Sequence, residues 1–459
     1  MRFQTFDYGL FLVVIFIVYW FLPRRLQNLL LLGASYLFYS YVDQWVGLLL
    51  VGYTLVTYFA ARKIEVNKRH ARLYLAMACT SSLGVLGIFK YASFFVESFI
   101  SVLEGVGLAG SGSTLRILLP AGISFYTFQS IGYVIDVYMG RTHARRNFLD
   151  VALFISFFPQ LVSGPIERAK HLLPQIENKR KFSVNQTSEG LSLIVWGLFK
   201  KLVIADNVGM IVDTIFSTSS PGAAMLWVGT FAFGVQILAD FSGYTDIARG
   251  SARLLGIHLS ANFRHPWLSS SPRDFWRRWH ISLSSWLRDY VYIPLGGNRR
   301  GNYRTVGSIL ITFVLAGIWH GAGWNFILWG LFHAGLIMIW HSTNLGTFRL
   351  GTIVSTSLTF MTMGISWILF RENDLTYITS NLMTFTGNMR LAAFFAITTL
   401  IYSLPIWLHA FASRSYIGTI LQENDLVRTS AQTSITLMCF IGILLFGANN
   451  GSEFIYFRF

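Results

Sequence analysis

His320 lies inside a long stretch of the chain that contains no carboxylate, lysine or arginine. The stretch runs from Val306 to His341, and His320 lies near its middle. A membrane-spanning helix needs about 20 apolar residues, and an ionisable side chain inside such a span is costly and usually functional. A neutral imidazole accepts a proton near physiological pH, so His320 is predicted to be a general base inside the membrane. The alternative is a structural imidazole bonded to a backbone carbonyl.

A second histidine, His280, precedes His320 by 40 residues and ends the string SPRDFWRRWH (Ser271–His280). It lies beside an apolar stripe, in a segment that is dense in tryptophan and arginine. A lone histidine in such a place is commonly an interfacial structural residue. It could also line the same cavity as His320, which makes His280 the second candidate catalytic residue.

The segment around His280 is predicted to form one amphipathic helix. Ser271 suits the N-cap, Pro272 the first turn, and Asp274 the third position of a capping box. Apolar side chains recur at helical spacing through Phe275, Trp279, Leu283, Trp286 and Tyr290, and the helix is expected to end before Pro294. Either the helix lies in the lipid headgroup layer, or its arginines bind the phosphates of an acyl carrier. The second interpretation assigns substrate or donor binding to Arg273, Arg277, Arg278, Trp276, Trp279, Trp319 and Asn325.

Other polar residues are expected to be structural. His333 points away from His320 if the two residues share one continuous helix. Asp240 is expected to close a span and to cap it or to pair with an arginine. No spacing supports a catalytic role for Asp240, Asp246, Asp136, Glu167, Lys200, Lys201 or Asp206. Cys79 and Cys439 lie in separate apolar stretches and indicate neither a disulfide framework, nor a metal site, nor a cysteine nucleophile.

The composition predicts an integral membrane protein with many α-helical spans. Hydrophobic residues make up 53% of the 459 residues and charged residues only 12%, whereas soluble domains carry about 25% charged residues. The long uninterrupted apolar segments differ from barrel strands, which alternate over about 10 residues. The first apolar run, Tyr8–Leu22, lacks the features of a cleaved signal peptide and is predicted to be a retained span. The net charge of +15 indicates basic cytoplasmic loops rather than nucleic-acid binding.

The order of apolar and basic segments predicts the topology. Apolar segments are predicted at 8–22, 26–42, 45–61, 73–96, 117–139, 148–163, 190–215, 223–240, 306–320, 323–341, 352–370, 391–411 and 431–447. Basic clusters follow the first and third segments, which predicts an outside N-terminus and cytoplasmic basic loops. Segment 148–163 is expected to be re-entrant because basic residues flank both of its ends. Residues 241–305 are expected to form a basic, cytoplasm-facing segment within one domain that spans 1–459.

Several strings, taken together and in order, resemble the membrane-bound O-acyltransferases, most closely the branch of the bacterial alginate O-acetylation membrane protein. They include FFPQLVSGPIER (157–168), DFSGYTDIARG (240–250), the string around His280, and GIWHG around His320. The resemblance implies an all-α polytopic bundle in which two opposed funnels, one cytoplasmic and one outer, meet at a thin partition. His320 matches the family's invariant active-site histidine, and His280 matches its second, upstream histidine.

The resemblance also implies an enzyme that moves an acetyl group across the bacterial inner membrane for the O-acetylation of an exported polysaccharide. The expected donor is acetyl-CoA or another cytoplasmic thioester, and neither a bound cofactor nor a metal is expected. The expected partners are the lipid bilayer, polysaccharide export machinery and a periplasmic acyltransferase with Ser-His-Asp chemistry. Alternatives are D-alanyl transfer to teichoic acid, and a transporter, channel or assembly scaffold that makes no bonds.

Overall fold

The fold is a bundle of helices. The computed structural model describes residues 1–41, 43–107, 119–299, 301–343, 351–385, 387–414, 425–448 and 453–457, and no β-strand occurs within these ranges. The α-helices are Phe6–Trp20 (α1), Arg24–Tyr39 (α2), Trp45–Val66 (α3), Ala71–Gly105 (α4), Ile123–Tyr138 (α5), Phe148–Ser156 (α6), Phe158–Leu161 (α7), Ala169–Glu177 (α8), Val184–Phe199 (α9), Asp206–Phe216 (α10), Gly222–Leu254 (α11), Pro272–Arg278 (α12), Ile281–Leu287 (α13), Asn302–His320 (α14), Trp324–Ser342 (α15), Thr352–Arg371 (α16), Leu375–Leu382 (α17), Met389–Arg414 (α18) and Asp425–Phe446 (α19). Short π-helical turns connect α9 to α10 (Lys200–Ala205) and follow α13 (Arg288–Tyr292).

Several helices have the length and composition needed to cross a membrane. Among the described residues there are six, namely α3, the run that contains α4, α11, α16, α18 and α19. The outer faces of α18 and α19 expose large apolar side chains such as Leu400, Ile401, Phe440 and Leu444, which suits contact with lipid. A helix satisfies its own backbone hydrogen bonds, so a bundle of this kind is stable in hydrocarbon. The chain is a multi-pass, all-α membrane protein.

The helices agree with the predicted apolar segments except at two places. Segment 148–163 divides into α6 and α7 at Phe157, and the longer piece has only 9 residues, which is too short to cross a bilayer. The expectation that Asp240 closes a span is wrong, because α11 continues through it to Leu254. The first part of the predicted cytoplasmic segment 241–305 therefore belongs to α11.

The central helix α11, most of whose residues are buried, packs closely against α9. A Cβ atom added to Gly197 would lie 2.6 Å from the carbonyl oxygen of Gly243, and one added to Gly243 would lie 2.8 Å from that of Gly197. Gly190 and Gly250 make a second close approach of the same kind. Small residues at these positions allow the two helix backbones to approach, as is common in membrane bundles.

The predicted single amphipathic helix around His280 is wrong. Ser271 caps α12 as expected, since its hydroxyl accepts a hydrogen bond from the Asp274 backbone amide at 3.1 Å. The helix nevertheless ends at Arg278, and α13 begins only at Ile281. The backbone of His280 between them is left-handed, with φ 41°. The helical spacing of the aromatic residues does not by itself reveal this break.

Candidate active site

The hairpin of α14 and α15 positions His320. The first helix ends at His320, the chain turns through Gly321 and Gly323, and α15 begins at Trp324. A Cβ atom added to Gly317 would overlap the Phe326 carbonyl oxygen, so glycine is needed for the two helices to pack this closely. The glycines around His320 thus allow both the close approach of α14 and α15 and the break between them.

The end of α14 is held by two side chains from α4. The Lys90 ammonium donates to the carbonyl oxygens of Trp319 at 2.5 Å and His320 at 2.9 Å, and the Tyr91 hydroxyl donates to that of Ile318. The last carbonyls of a helix have no partner within the helix, and a cation beside them is stabilising. Lys90 and Tyr91 thus fix the position of the backbone that carries His320.

The His320 ring lies in an aromatic enclosure. It is 3% exposed, and its ring centroid lies 5.0 Å from that of Trp329, 5.0 Å from that of Phe370 and 5.7 Å from that of Tyr456. Among the described residues, Nδ1 is buried without a hydrogen-bond partner. The ring faces a small cavity of about 20 Å³, enough for roughly one water molecule. A buried imidazole nitrogen with a free position is suited to accept a proton from a substrate.

His280 lies at the break between α12 and α13 and is 1% exposed. Asn262 holds this break, because its carbonyl oxygen accepts from the Ile281 amide at 2.9 Å and its Oδ1 from the Ser282 amide at 3.2 Å. Both ring nitrogens of His280 are buried without a partner on another described residue, and the ring interacts with the backbone of His280 itself. Burial lowers the pKa of the His280 imidazole to about 3, so this side chain is neutral at physiological pH.

The tertiary structure brings the two predicted catalytic histidines into contact with the same two aromatic rings. The Trp319 ring centroid lies 5.7 Å from that of His280 and 5.0 Å from that of His320. The Tyr456 ring centroid lies 6.4 Å from His280 and 5.7 Å from His320. His280 does not line the cavity that His320 faces. The two histidines form one site with a tryptophan and a tyrosine between them.

Tyr456 is a site residue that the sequence analysis missed. It lies near the end of the chain, where the Ile455 amide donates to Oδ2 of Asp240 at 2.7 Å. The other oxygen of Asp240 pairs with Lys201 at 2.8 Å, and Lys201 also pairs with Asp206 at 2.8 Å. The expected partner of Asp240 was an arginine, and the observed one is a lysine. The aromatic string FIYF at 454–457 was the available signal for a terminal segment that packs into the core.

The other predicted binding residues divide into two groups. Trp276 and Trp279 line the His320 cavity, and Trp319 separates the two histidines. Arg273 and Arg277 are exposed, and Arg278 pairs with Asp274 at 2.9 Å. The three arginines therefore lie at the surface of α12, while its tryptophans face the site.

Asn325 lines a different space, a vestibule of about 440 Å³ that also contains Gln236, Arg371 and Glu372. Its amide donates to the Leu369 carbonyl oxygen at 3.0 Å. Phe370 borders both this vestibule and the His320 cavity. One aromatic side chain thus separates a polar, open space from the candidate base.

His333 is hydrogen-bonded as a structural residue would be, but it lies close to His320. Its Nε2 lies 3.1 Å from the Ser366 hydroxyl, as befits the predicted structural role. The expectation that it points away from His320 assumed one continuous helix. Because α14 and α15 form a hairpin, His333 lines the same cavity as His320.

The remaining predicted structural residues take part in ion pairs. Asp136 pairs with Arg141 at 3.4 Å, Asp246 with Lys200 at 2.6 Å, and Glu167 with His171 at 2.7 Å. No cluster of metal-ligating side chains occurs in the part of the chain that the structure describes.

Comparison with known proteins identifies the family. A family model of the membrane-bound O-acyltransferases matches residues 142–349, which include His280 and His320. A probable alginate O-acetylase of Pseudomonas putida is 36% identical over 98% of this chain and 98% of its own length. This chain belongs to the membrane-bound O-acyltransferase family. Its activity is therefore transfer of an acyl group to an oxygen, and a transporter, channel or scaffold that makes no bonds no longer fits.

Two further relatives of this membrane-bound O-acyltransferase differ in how far they match. A peptidoglycan O-acetyltransferase of Helicobacter pylori is 32% identical over 98% of this chain and 95% of its own length. A teichoic acid D-alanyltransferase of Streptococcus thermophilus is 30% identical over 53% of this chain and 63% of its own length. The probable alginate O-acetylase of Pseudomonas putida and the peptidoglycan O-acetyltransferase of Helicobacter pylori thus match along almost the whole chain. Lys90 and Tyr456 lie outside the region of the family model.

Proposed function

We propose that this protein transfers an acetyl group from a cytoplasmic thioester towards an exported polysaccharide, with His320 as general base. The observation that carries the proposal is Nδ1 of His320, which is buried in an aromatic cavity without a partner among the described residues. Within the part of the chain that the structure describes, only the Phe370 side chain lines both this cavity and the polar vestibule. The names of the two relatives that match along almost the whole chain support acetyl as the transferred group. D-alanyl transfer is favoured less, because the relative with that name matches over a shorter part of the chain.

The proposed reaction is a single acyl transfer. The His320 imidazole takes the proton of an acceptor hydroxyl, and the hydroxyl oxygen forms a bond to the carbonyl carbon of the thioester. The carbon–sulfur bond then breaks, and the thiolate leaves with the proton that the imidazole returns. A positioned base contributes about 10²–10⁴-fold to such a rate.

His280 is proposed to act on the carbonyl oxygen of the donor. It is neutral, so one ring nitrogen carries a proton that it can donate, and neither nitrogen has a partner on another described residue. A hydrogen bond to the oxygen that gains negative charge in the transition state is a strong catalytic contribution. The rings around both histidines exclude water, which limits loss of the acetyl group by hydrolysis.

The cytoplasmic side of the protein is proposed from the positive charge of the segment that contains α12, and the vestibule is proposed to open on the other side. The vestibule that contains Asn325 and Arg371 is proposed to admit the acceptor from the outer side. The basic segment that contains α12 is proposed to face the cytoplasm of a bacterial inner membrane, where it would meet acetyl-CoA. A periplasmic acyltransferase with Ser-His-Asp chemistry is proposed to pass the acetyl group to the polymer within the export machinery.

The test is acetylation by histidine variants in cells that make the polymer. His320→Ala, matched in membrane abundance to the native protein, is expected to lower polymer-bound acetate to background. His70→Ala is the control, because His70 is exposed next to α4, and normal acetate is expected. Native acetate levels in the His320→Ala strain would overturn the proposed role. Purified protein with labelled acetyl-CoA tests the donor, and failure to form a labelled acetyl ester would exclude acetyl-CoA.

A further inference from the structure

A second cavity lies between α9, α11, α18 and the loop 262–268, apart from the one that His320 faces. Its volume is about 90 Å³, several times what one water molecule requires. Three tryptophans, Trp196, Trp267 and Trp407, contribute to its walls, and Trp267 and Trp407 lie 5.0 Å apart by ring centroids. The aromatic walls give this cavity a defined shape.

Two cations and one carboxylate line the cavity. The Lys200 ammonium lies 2.6 Å from Oδ2 of Asp246, and the Arg249 guanidinium lies 2.9 Å from Oδ1 of the same residue. Lys200 also donates to the Ser242 hydroxyl at 2.9 Å. Both oxygens of the only carboxylate among the described lining residues are thus engaged, and the two cations leave one positive charge in excess.

Four buried polar atoms in this lining have no hydrogen-bond partner among the described residues. They are the Thr245 hydroxyl oxygen, the Asn262 amide nitrogen, the Trp267 indole nitrogen and Nε of Arg249. Three of the four can only donate, and the fourth is a hydroxyl that can donate. Buried donors are almost always satisfied in native proteins, and leaving them unpaired is costly. An acceptor-rich group in the cavity would satisfy them.

We propose that this cavity binds a phosphate ester. A phosphate group offers several acceptor oxygens and negative charge, which match the unpaired donors and the excess positive charge. Guanidinium and ammonium groups bind such oxygens through short, charge-assisted hydrogen bonds. The surface arginines of α12 lack this enclosure, so the buried cavity replaces them as the phosphate site.

The phosphate site is linked to His280 through aromatic packing. Phe263 lines the cavity and contacts Phe241 at 5.1 Å between ring centroids, and Phe241 contacts His280 at 4.7 Å. Asn262 lines the same cavity and holds the backbone at Ile281. Two aromatic rings, those of Phe263 and Phe241, thus connect a phosphate bound here to the candidate active site. The proposal does not depend on acetyl transfer, because binding is measured without turnover.

The phosphate could belong to a soluble nucleotide thioester or to a phospholipid headgroup, and two probes distinguish these sources. The full chain in an uncharged detergent is titrated with coenzyme A in one series and with dihexanoyl phosphatidylglycerol in the other. Pantetheine, which has no phosphate, serves as the control ligand for coenzyme A. Saturable binding of either phosphorylated probe, with no saturable binding of pantetheine, is the expected result.

The variants remove single donors, and Thr245→Val also keeps the shape of the side chain. Thr245→Val and Trp267→Phe are each expected to weaken the binding of the probe about tenfold or more, as for a lost hydrogen bond to a charged group. Arg249→Gln tests how much the positive charge of Arg249 contributes to binding of the probe. Arg69→Gln is its matched control, because it removes one positive charge from an exposed position beside α4, and unchanged affinity is expected.

The outcomes separate clearly. Binding that is lost in the Thr245 and Trp267 variants and kept in Arg69→Gln supports the site, and the probe that binds names its source. Saturable binding of neither probe by the native protein overturns the proposal. Equal weakening in Arg249→Gln and Arg69→Gln would show general attraction to a basic protein and would also overturn it. Elution of each variant as a single species at the native volume in gel filtration shows that it is folded.

Discussion

Lys90 donates a hydrogen bond to the carbonyl oxygen of His320, with 2.9 Å between its Nζ and that oxygen. The lysine comes from α4, far from His320 in the sequence, and it also donates to the Trp319 carbonyl oxygen. The ammonium thereby satisfies the end of the helix that carries the candidate base. Because these contacts reach the backbone rather than the imidazole, Lys90 is a positioning residue.

Replacing Lys90 should lower activity by loosening the end of the helix that carries His320. Lys90→Met keeps most of the side-chain length and removes the ammonium, so the end of α14 loses two charge-assisted hydrogen bonds. We expect the rate of acetylation to fall on the order of 10–100-fold, as for a small misplacement of a catalytic group. Lys90→Arg should restore part of the rate because it keeps a donor. The measurement is initial rate at matched membrane abundance, and an unchanged rate in Lys90→Met would refute the positioning role.

The left-handed backbone of His280 makes a prediction about stability. Most residues strongly disfavour φ near 41°, whereas glycine adopts it readily. Both His280→Gly and His280→Ala remove the ring, so their difference isolates the backbone. His280→Gly should be more stable than His280→Ala by about 1 kcal/mol, the reverse of the usual order in helices. Denaturation midpoints in detergent measure this, and a more stable alanine variant would contradict the left-handed conformation.

The close packing of α14 against α15 predicts a sharp difference between two glycines. A Cβ atom at Gly317 would overlap the Phe326 carbonyl oxygen, whereas one at Gly335 has open space within 4 Å. Gly317→Ala should destabilise the protein by roughly 1–3 kcal/mol, as for an overpacked core position, and should lower activity because the hairpin carries His320. Gly335→Ala is the matched control and should be neutral or stabilising. Equal melting temperatures for the two variants would count against the hairpin geometry.

The pair of Glu167 and His171 predicts a pH-dependent contribution to stability outside the spanning helices. The hydrogen bond that the His171 ring donates to the Glu167 carboxylate raises the pKa of the His171 imidazole above its usual value. The charged pair is then fully stabilising below the unfolded pKa of about 6.5, and its contribution is lost as the pH rises through the higher folded pKa. The effect should be small because the His171 side chain is 43% exposed and solvent screens the pair.

The measurement for this pair is the melting temperature of the native protein and of His171→Gln between pH 5 and pH 8. The native protein should be relatively more stable at the acidic end, and the difference between the two proteins should shrink towards the alkaline end. A difference that grows with pH would have the wrong sign and would refute the assignment.

The sequence predicted the helical elements because apolar length is a local property. Membrane spans need long apolar runs, and each predicted run contains a helix in the described ranges. The predictions were wrong where a local sequence pattern is compatible with two different structures. Asp240 suggested the end of a span, but a buried pair with Lys201 lets a carboxylate remain inside α11. The aromatic stripe around His280 fitted one helix, but it fits two short helices with a left-handed residue between them as well.

The amino-acid sequence by itself determined the membrane class, the helical character, and the two histidines that are candidates for chemistry. These follow from residue types and their neighbours along the chain. Only the tertiary structure decided that Trp319 and Tyr456 lie between His280 and His320, that Lys90 holds the helix end at His320, and that four unpaired donors share one cavity. Such relationships join residues that are far apart in the sequence, and they depend on close helix crossings that no local pattern encodes.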